Sequence, residues 1–392
     1  MEEIVQTIVK QMSRKLGGQL EAIFLYGSMA NGSYKPGESD INLLAVIADG
    51  TSIHALRKLF LPIWNDYKDV LCRAPLIAQE KDFARYLQVA PTFAHHLIHQ
   101  GEIVFGLPDY LDGWPETNPY DASARLAYEA MQVSAAIAPE LLEPEIAQAK
   151  FAQLYRLARK LHGQPIDKGK TAVELYALVQ HYLNQQIANL PNPPAVREPS
   201  TTTTMLLPGL QASYKEADQM VMVFQELTPH QIMAIQWPIL AKRVANRCTG
   251  LRITTAVQLK LIMELERPLD IVLQRYHHEW GDQLLAQIKP AKKQIFRQAA
   301  RFPAEIQIDL MPNDYLTQDQ SKIHDIIHDY QNKLLNIQLE HELLRRLQQI
   351  NKFEPPELLP DRTAHHSVRI DAIFKHLGWW SEFYTDLMLN AE

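Results

Sequence analysis

Leu25-Tyr26-Gly27-Ser28-Met29-Ala30-Asn31-Gly32, followed after a short gap by Glu38-Ser39-Asp40-Ile41-Asn42-Leu43-Leu44, is the stretch that decides the fold of the N-terminal region. Ala22 to Tyr26 is an apolar run too short for a surface helix and reads as a buried strand. Ile41 to Ile47 is a second such run, and Gly27 to Ser39 between them has the Gly, Ser, Asn and Pro content of a loop. Gly27 ends the first strand and lets backbone N–H groups face outward with no side chain in the way. Ser28 adds a hydroxyl beside them, and such a pocket suits the phosphates of a nucleotide. Asp40 and Asn42 stand two apart at the start of the second strand, so their side chains share a face.

The flanks agree with that centre. Ile4, Val5, Ile8, Val9, Met12 and Leu16 recur at helical spacing up to Gly17-Gly18. Ser52 to about Tyr67 has helical periodicity, and Val70 to Ala78 reads as a third strand. The order predicts a small mixed sheet packed against helices.

A Gly-Ser turn, a loop and then Asp-x-Asp or Asp-x-Glu on a strand resembles the signature of the DNA polymerase β-type nucleotidyltransferase superfamily. The likeness covers roughly residues 1–110 and is nearest to aminoglycoside-type and minimal nucleotidyltransferases. It implies that Gly27 and Ser28 bind the nucleotide's phosphates and that Asp40, the catalytic carboxylate, holds Mg²⁺ against a nucleoside triphosphate. Asn42 departs from the pattern: an amide oxygen brings no charge and is a weak metal ligand. The third strand, where the family carries a further carboxylate, offers none, and Asp69 lies just before it. The resemblance therefore implies an enzyme of the nucleotidyl-transferring class, with transfer weak or lost at a degenerate metal site. Residual catalysis through Asp40 and an outlying acid such as Asp69 is the other outcome.

Beyond this domain, assigned to residues 1–117, the pattern turns helical. A bundle is expected over 118–189, with helices near 121–138 and 143–162 and a capping box opening a third at Thr171-Ala172-Val173-Glu174. Residues 190–210 hold five prolines and four consecutive threonines and read as a linker or long loop. The remainder, 211–392, reads as an α-helical C-terminal region with no internal repeat of fixed period. Thr228-Pro229 is a helix start. About Gln318 to Phe353 is the longest helix, and the last runs from about Ser367 to Leu389. The fold class is thus an α+β nucleotidyltransferase domain followed by mostly α-helical domains. The apolar seam from Ile323 to Leu344 predicts a packing partner within the chain, the last helix folding back.

Composition bounds the alternatives. The 392 residues, 46% hydrophobic and 21% charged, allow two or three globular domains. A net charge of −6 argues against a dedicated nucleic-acid binder. Two cysteines, Cys72 and Cys248, exclude a disulfide framework, and no leader or membrane span is expected, which implies a cytoplasmic protein. A second functional reading is a non-catalytic scaffold acting on a protein partner through its C-terminal helices. A third rests on the Arg156-x₅-His162 spacing, which resembles the RNase motif of HEPN domains; a helix end favouring cations explains it as well. His324 with His328, His95 with His96 and His99, and the basic stretch Lys289, Lys292, Lys293, Arg297 and Arg301 read as solvated helix faces.

Overall fold

The structure, a computed structural model, describes residues 2–32, 34, 40–112, 119–142, 146, 148–162, 165–167, 169–190, 207, 209–216, 219–237, 240, 250–265, 276–287, 292–346, 350, 359–360 and 363–391. The chain forms two compact units, Met1–Asn118 together with Ile295–Glu392, and Pro119–Gln294.

The first unit opens with α1 (Glu2–Leu16), whose Val5, Ile8, Val9, Met12 and Leu16 are buried as their spacing dictates. Next come β1 (Leu20–Tyr26), β2 (Asn42–Ile47), α2 (Ile53–Leu71), β3 (Leu76–Gln79), α3 (Glu80–Val89), α4 (Pro91–Gln100) and β4 (Glu102–Phe105). The sheet order is β3-β2-β1-β4; β1 is antiparallel to both neighbours, and β2 and β3 are parallel. Ala22, Ile23, Phe24 and Leu25 are all buried, although in a strand they alternate between faces. Both faces of the sheet are therefore covered, which is why the strand has a continuous apolar run instead of an alternating one. Burying side chains the size of Ile23, Phe24 and Leu25 stabilises by roughly 1.5–3 kcal/mol each.

The third strand is shorter than the sequence suggests. Residues 70 and 71 belong to α2, which ends at Cys72 in the left-handed region (φ 57°), and β3 begins only after Pro75. An apolar run at a helix C-terminus and one at a strand start look alike when read together.

The second unit contains α5 (Pro119–Ile137), α6 (Gln148–His162), α7 (Ala172–Ala188), β5 (Leu210–Glu216), β6 (Gln219–Phe224), α8 (Pro229–Ala234), β7 (Gly250–Thr255), α9 (Ala256–Leu265) and β8 (Tyr276–Gly281). The capping box at α7 forms as expected. Thr171 Oγ1 accepts from Glu174 N at 3.3 Å and Thr171 N donates to Glu174 Oε2 at 2.7 Å. The expectation that residues beyond 211 are helical is corrected here by a second four-stranded sheet, order β7-β6-β5-β8. Proline spacing elsewhere in the region favours helices, which is why the strands do not stand out in the sequence. Leu210, Ala212 and Tyr214 alternate with Gln211, Ser213 and Lys215 as a strand requires, whereas the polar run Tyr276-His277-His278-Glu279 gives no such signal. Of the expected linker, only residues 190, 207, 209 and 210 lie among the described ones.

The C-terminal helices α10 (Lys292–Glu305), α11 (Met311–Thr317), α12 (Ile323–Arg346) and α13 (His366–Leu389) return the chain to the first unit. This corrects the expectation of one region over 211–392. The apolar stripes of these helices share a core with α1 and β1–β3, so residues 295 onward need that sheet to bury them. The seam Ile323, Ile327, Tyr330, Leu334, Ile337 and Leu344 is buried within the chain, and α13 packs against it. Polar clamps fix the arrangement. Arg57 of α2 donates to the carbonyls of Tyr315 (3.0 Å) and Gln318 (2.6 Å). Asp371 of α13 accepts from Ser52 Oγ (2.6 Å) and His54 N (3.1 Å) at the start of α2.

Candidate functional site

The candidate site lies where β1 ends and β2 begins. Tyr26 and Asn42 are the last register pair of the two strands, and Gly27 turns the chain out of β1 with φ +78°. A Cβ at Gly27 would come within 3.2 Å of Asn42 Nδ2, so glycine meets both the backbone conformation and the close approach. The next residues wind back on themselves: Asn31 N donates to Gly27 O at 3.2 Å. Ser28 is half-buried and Gly27 exposed in this turn. Residues 33 and 35–39 lie outside the described ones; the chain is described again at Asp40, which is half-buried.

Asn42 Nδ2 donates to Asp40 Oδ1 at 3.0 Å. An ionised carboxylate only accepts, so the amide must present its nitrogen, not its oxygen, to Asp40. In this arrangement Asn42 steadies the carboxylate.

The surroundings carry mixed charge. Burial pushes the Tyr26 hydroxyl up to about 12, the nearby Arg73 guanidinium opposes the shift, and Asp40 adds to it. The Tyr26 ring stands edge-on to Phe93 at 5.4 Å. Arg73 is ion-paired with Asp309, an acid in the π-helical turn Ile306–Leu310. Nothing in the sequence joins these two residues, which lie far apart along it.

The third-carboxylate position can be read from the register. In the parallel pair the register runs from Leu44 opposite Leu76 to Ile47 opposite Gln79, and β3 carries no carboxylate. Asp69 lies instead in the last turn of α2, exposed to solvent. Among the described residues no group of three or more His, Cys, Asp or Glu side chains could hold a metal ion. Among the described residues of this turn and strand start, Asp40 is the carboxylate present, hydrogen-bonded on one oxygen.

A cleft of about 620 Å³ adjoins the turn, lined by Val5, Gln6 and Lys10 of α1, Met29 of the turn, and Glu102 and Val104 of β4. Sequence reasoning missed it, because helix and strand meet there only through the antiparallel placement of β4.

The other singled-out residues stand apart. Arg156 is exposed on α6, and His162 stacks on Tyr182 with ring centroids 4.5 Å apart. His324 and His328 occupy the exposed face of α12, and His95 stacks near His99 at 4.5 Å. Arg301 pairs with Glu305 on its own helix, and Phe296 beneath is buried. Lys289 is outside the described residues. Trp380 is fully buried, and Trp379 stacks on Phe383 at 5.4 Å. Among the described residues no helix is long and apolar enough to cross a membrane.

No family model matches the chain, and no curated protein matches it. Among solved structures, spectinomycin adenyltransferase AAD(9) from Enterococcus faecialis, determined with ATP and spectinomycin, is similar at 12% identity. The match spans 50% of this chain and 92% of that one, with a TM-score of 0.31. A likeness at that level carries no inference about the chemistry of this chain.

Proposed function

We propose that the first unit is a nucleotidyltransferase-like module that binds a nucleoside triphosphate with Mg²⁺ and transfers its nucleotidyl group weakly or not at all. The observation that carries this reading is the pairing of Gly27 in the left-handed region with the Asp40–Asn42 hydrogen bond at the mouth of one sheet. The turn after Gly27 supplies backbone N–H groups and the Ser28 hydroxyl for phosphate oxygens. Asp40 supplies one anionic oxygen for a single Mg²⁺, whose other ligands are phosphate oxygens and water. Nucleotidyl transfer relies on metal charge to activate the acceptor oxygen. Asn42 acts as a donor, and the third strand, Leu76–Gln79, brings no carboxylate for a second ion.

The test is transfer of AMP from labelled ATP, with wild type, Asp40→Ala and Asn42→Asp compared. Wild type should stay at background, and Asn42→Asp should strengthen Mg²⁺–ATP binding with little turnover because the third strand still brings no carboxylate. Robust wild-type transfer that disappears in Asp40→Ala would contradict the degenerate site and direct attention to Asp309 and Asp69 as compensating acids.

A further inference from the structure

The two sheets have the same construction. In each, the first two strands are an antiparallel pair, the second is parallel to the third, and the fourth lies antiparallel on the other side of the first. A helix precedes each first strand, α1 and α7. Each second strand leads to a helix capped by a hydroxyl, Ser52 accepting from Ala55 N and Thr228 from Gln231 N. Each third strand runs into its helix with no intervening residue, at Gln79–Glu80 and Thr255–Ala256.

The irregularities coincide as well. The first strand breaks register with the second between Leu20 and Ala22, and in the other sheet between Leu210 and Ala212. Register with the fourth strand breaks between Ile23 and Phe24, and again between Ser213 and Tyr214. One constant offset carries each position of β1 to its counterpart in β5. That offset also carries the Gln19 carbonyl, which accepts from Ala48 N at 2.9 Å, to the Gly209 carbonyl, which accepts from Gln225 N at 2.9 Å. A positive-φ glycine closes each fourth strand against the matching spot. A Cβ on Gly106 would strike Glu21 O and Ala22 Cα, and one on Gly281 would strike Gln211 O and Ala212 Cα. A bulge is a local kink with its own sequence position, not a consequence of strand order. Two matching bulges and a matching glycine approach therefore go beyond shared topology.

We infer that the second unit contains a repeat of the sheet in the first, and that this copy is built without a nucleotide site, so the chain takes one nucleotide and not two. The inference rests on the function proposed above for residues 27–42. In the first sheet β1 and β2 are joined through residues 27–41, which bring Gly27, Ser28 and Asp40. In the second, β5 and β6 are joined by residues 217–218 alone, and the closing register pair is Glu216 with Gln219 where the first sheet has Tyr26 with Asn42. Aligned along β2 and β6, the place of Asp40 falls to Ala217. A connection of two residues, Ala217 and Asp218, is too short to carry counterparts of the Gly27–Ser28 turn and of the loop up to Asp40, and its one acid, Asp218, falls at the place of Ile41.

The experiment uses the full chain with Mg²⁺ and photoreactive azido-ATP, reading stoichiometry by equilibrium dialysis and labelled peptides by mass spectrometry. One equivalent is expected, labelling peptides within 20–47, and Asp40→Asn should reduce it at least tenfold while the far-UV spectrum is unchanged. Two equivalents, or label within 210–224 that survives Asp40→Asn, would overturn the inference while leaving the first site standing. No binding by wild type would overturn both the inference and the proposed function.

Discussion

The two sheets of this chain share a scaffold and differ in one connection. Bulges, caps and a closing glycine recur at matched places, whereas the link between the first two strands is long in one sheet and a two-residue hairpin in the other. The shared features are those a twisted four-stranded sheet needs in order to bend, pack and end. The long link adds nothing to that scaffold, since β5 and β6 pair without it. It is the link that carries Gly27, Ser28 and Asp40, the residues of the nucleotide site proposed above. The surroundings differ too: in the first unit Asp371 of α13 closes over the start of α2, while the matching start of α8 faces a cleft of about 540 Å³ lined by Gln225, Thr228 and Thr255.

The comparison breaks most visibly at the glycines. Gly281→Ala should destabilise by about 3–4 kcal/mol, because φ is +86° and the new Cβ lies 2.2 Å from the Gln211 carbonyl oxygen, which the ladder holds in place. Gly106→Ala should cost about 2–3 kcal/mol, its closest atom being the Glu21 oxygen at 2.7 Å. Urea unfolding monitored by circular dichroism measures both, and tolerance of either change would remove the strongest shared irregularity.

Acid should separate the units next. His341 is buried between Trp380, Phe383 and Tyr384, and burial lowers its pKa to about 4, with Glu342 opposing and Arg345 assisting. The folded state thus holds the ring neutral where the unfolded chain would protonate it. The stability this lends is full above about pH 6.5 and is lost as pH falls towards 4, on the order of 3 kcal/mol. His54 and His366 are lowered in the same direction, chiefly by burial. Unfolding midpoints between pH 7 and 4.5 should fall steeply in wild type and less steeply in His341→Gln; equal slopes would exclude His341 as a source of acid sensitivity.

The smallest effect sharpens the difference at the caps. Thr228→Ala should cost about 1 kcal/mol, the usual loss of an N-cap. Ser52→Ala should cost about 2 kcal/mol, because it also removes the hydrogen bond to Asp371. Equal costs would mean that the contact with α13 adds nothing to the start of α2.

Much of the first unit is legible in the sequence because its signals are local. The spacing of Val5, Ile8, Val9 and Met12, the runs around Phe24 and Leu44, and the Gly27 turn each declare themselves within a few residues. The end of α2 is not, since Val70 and Leu71 fit helix and strand equally well. The second sheet is harder to see because Tyr276–Gly281 is largely polar, and its repeat of the first lies in hydrogen-bond register, which side-chain identity records only weakly. The Asp40–Asn42 bond was half legible: same-face placement follows from their spacing, but an amide can turn either atom to its neighbour. The Arg73–Asp309 pair depends on tertiary packing and left no trace.

The most direct test is calorimetric titration of the full chain with ATP in the presence and absence of Mg²⁺, for wild type, Gly27→Val and Asp40→Asn. A single Mg²⁺-dependent isotherm is expected in wild type. Binding should fall at least tenfold in Gly27→Val, where the new side chain meets Asn42, and the Mg²⁺ dependence should vanish in Asp40→Asn. Wild-type binding that both substitutions leave unchanged, or no binding with Mg²⁺ present, would contradict it.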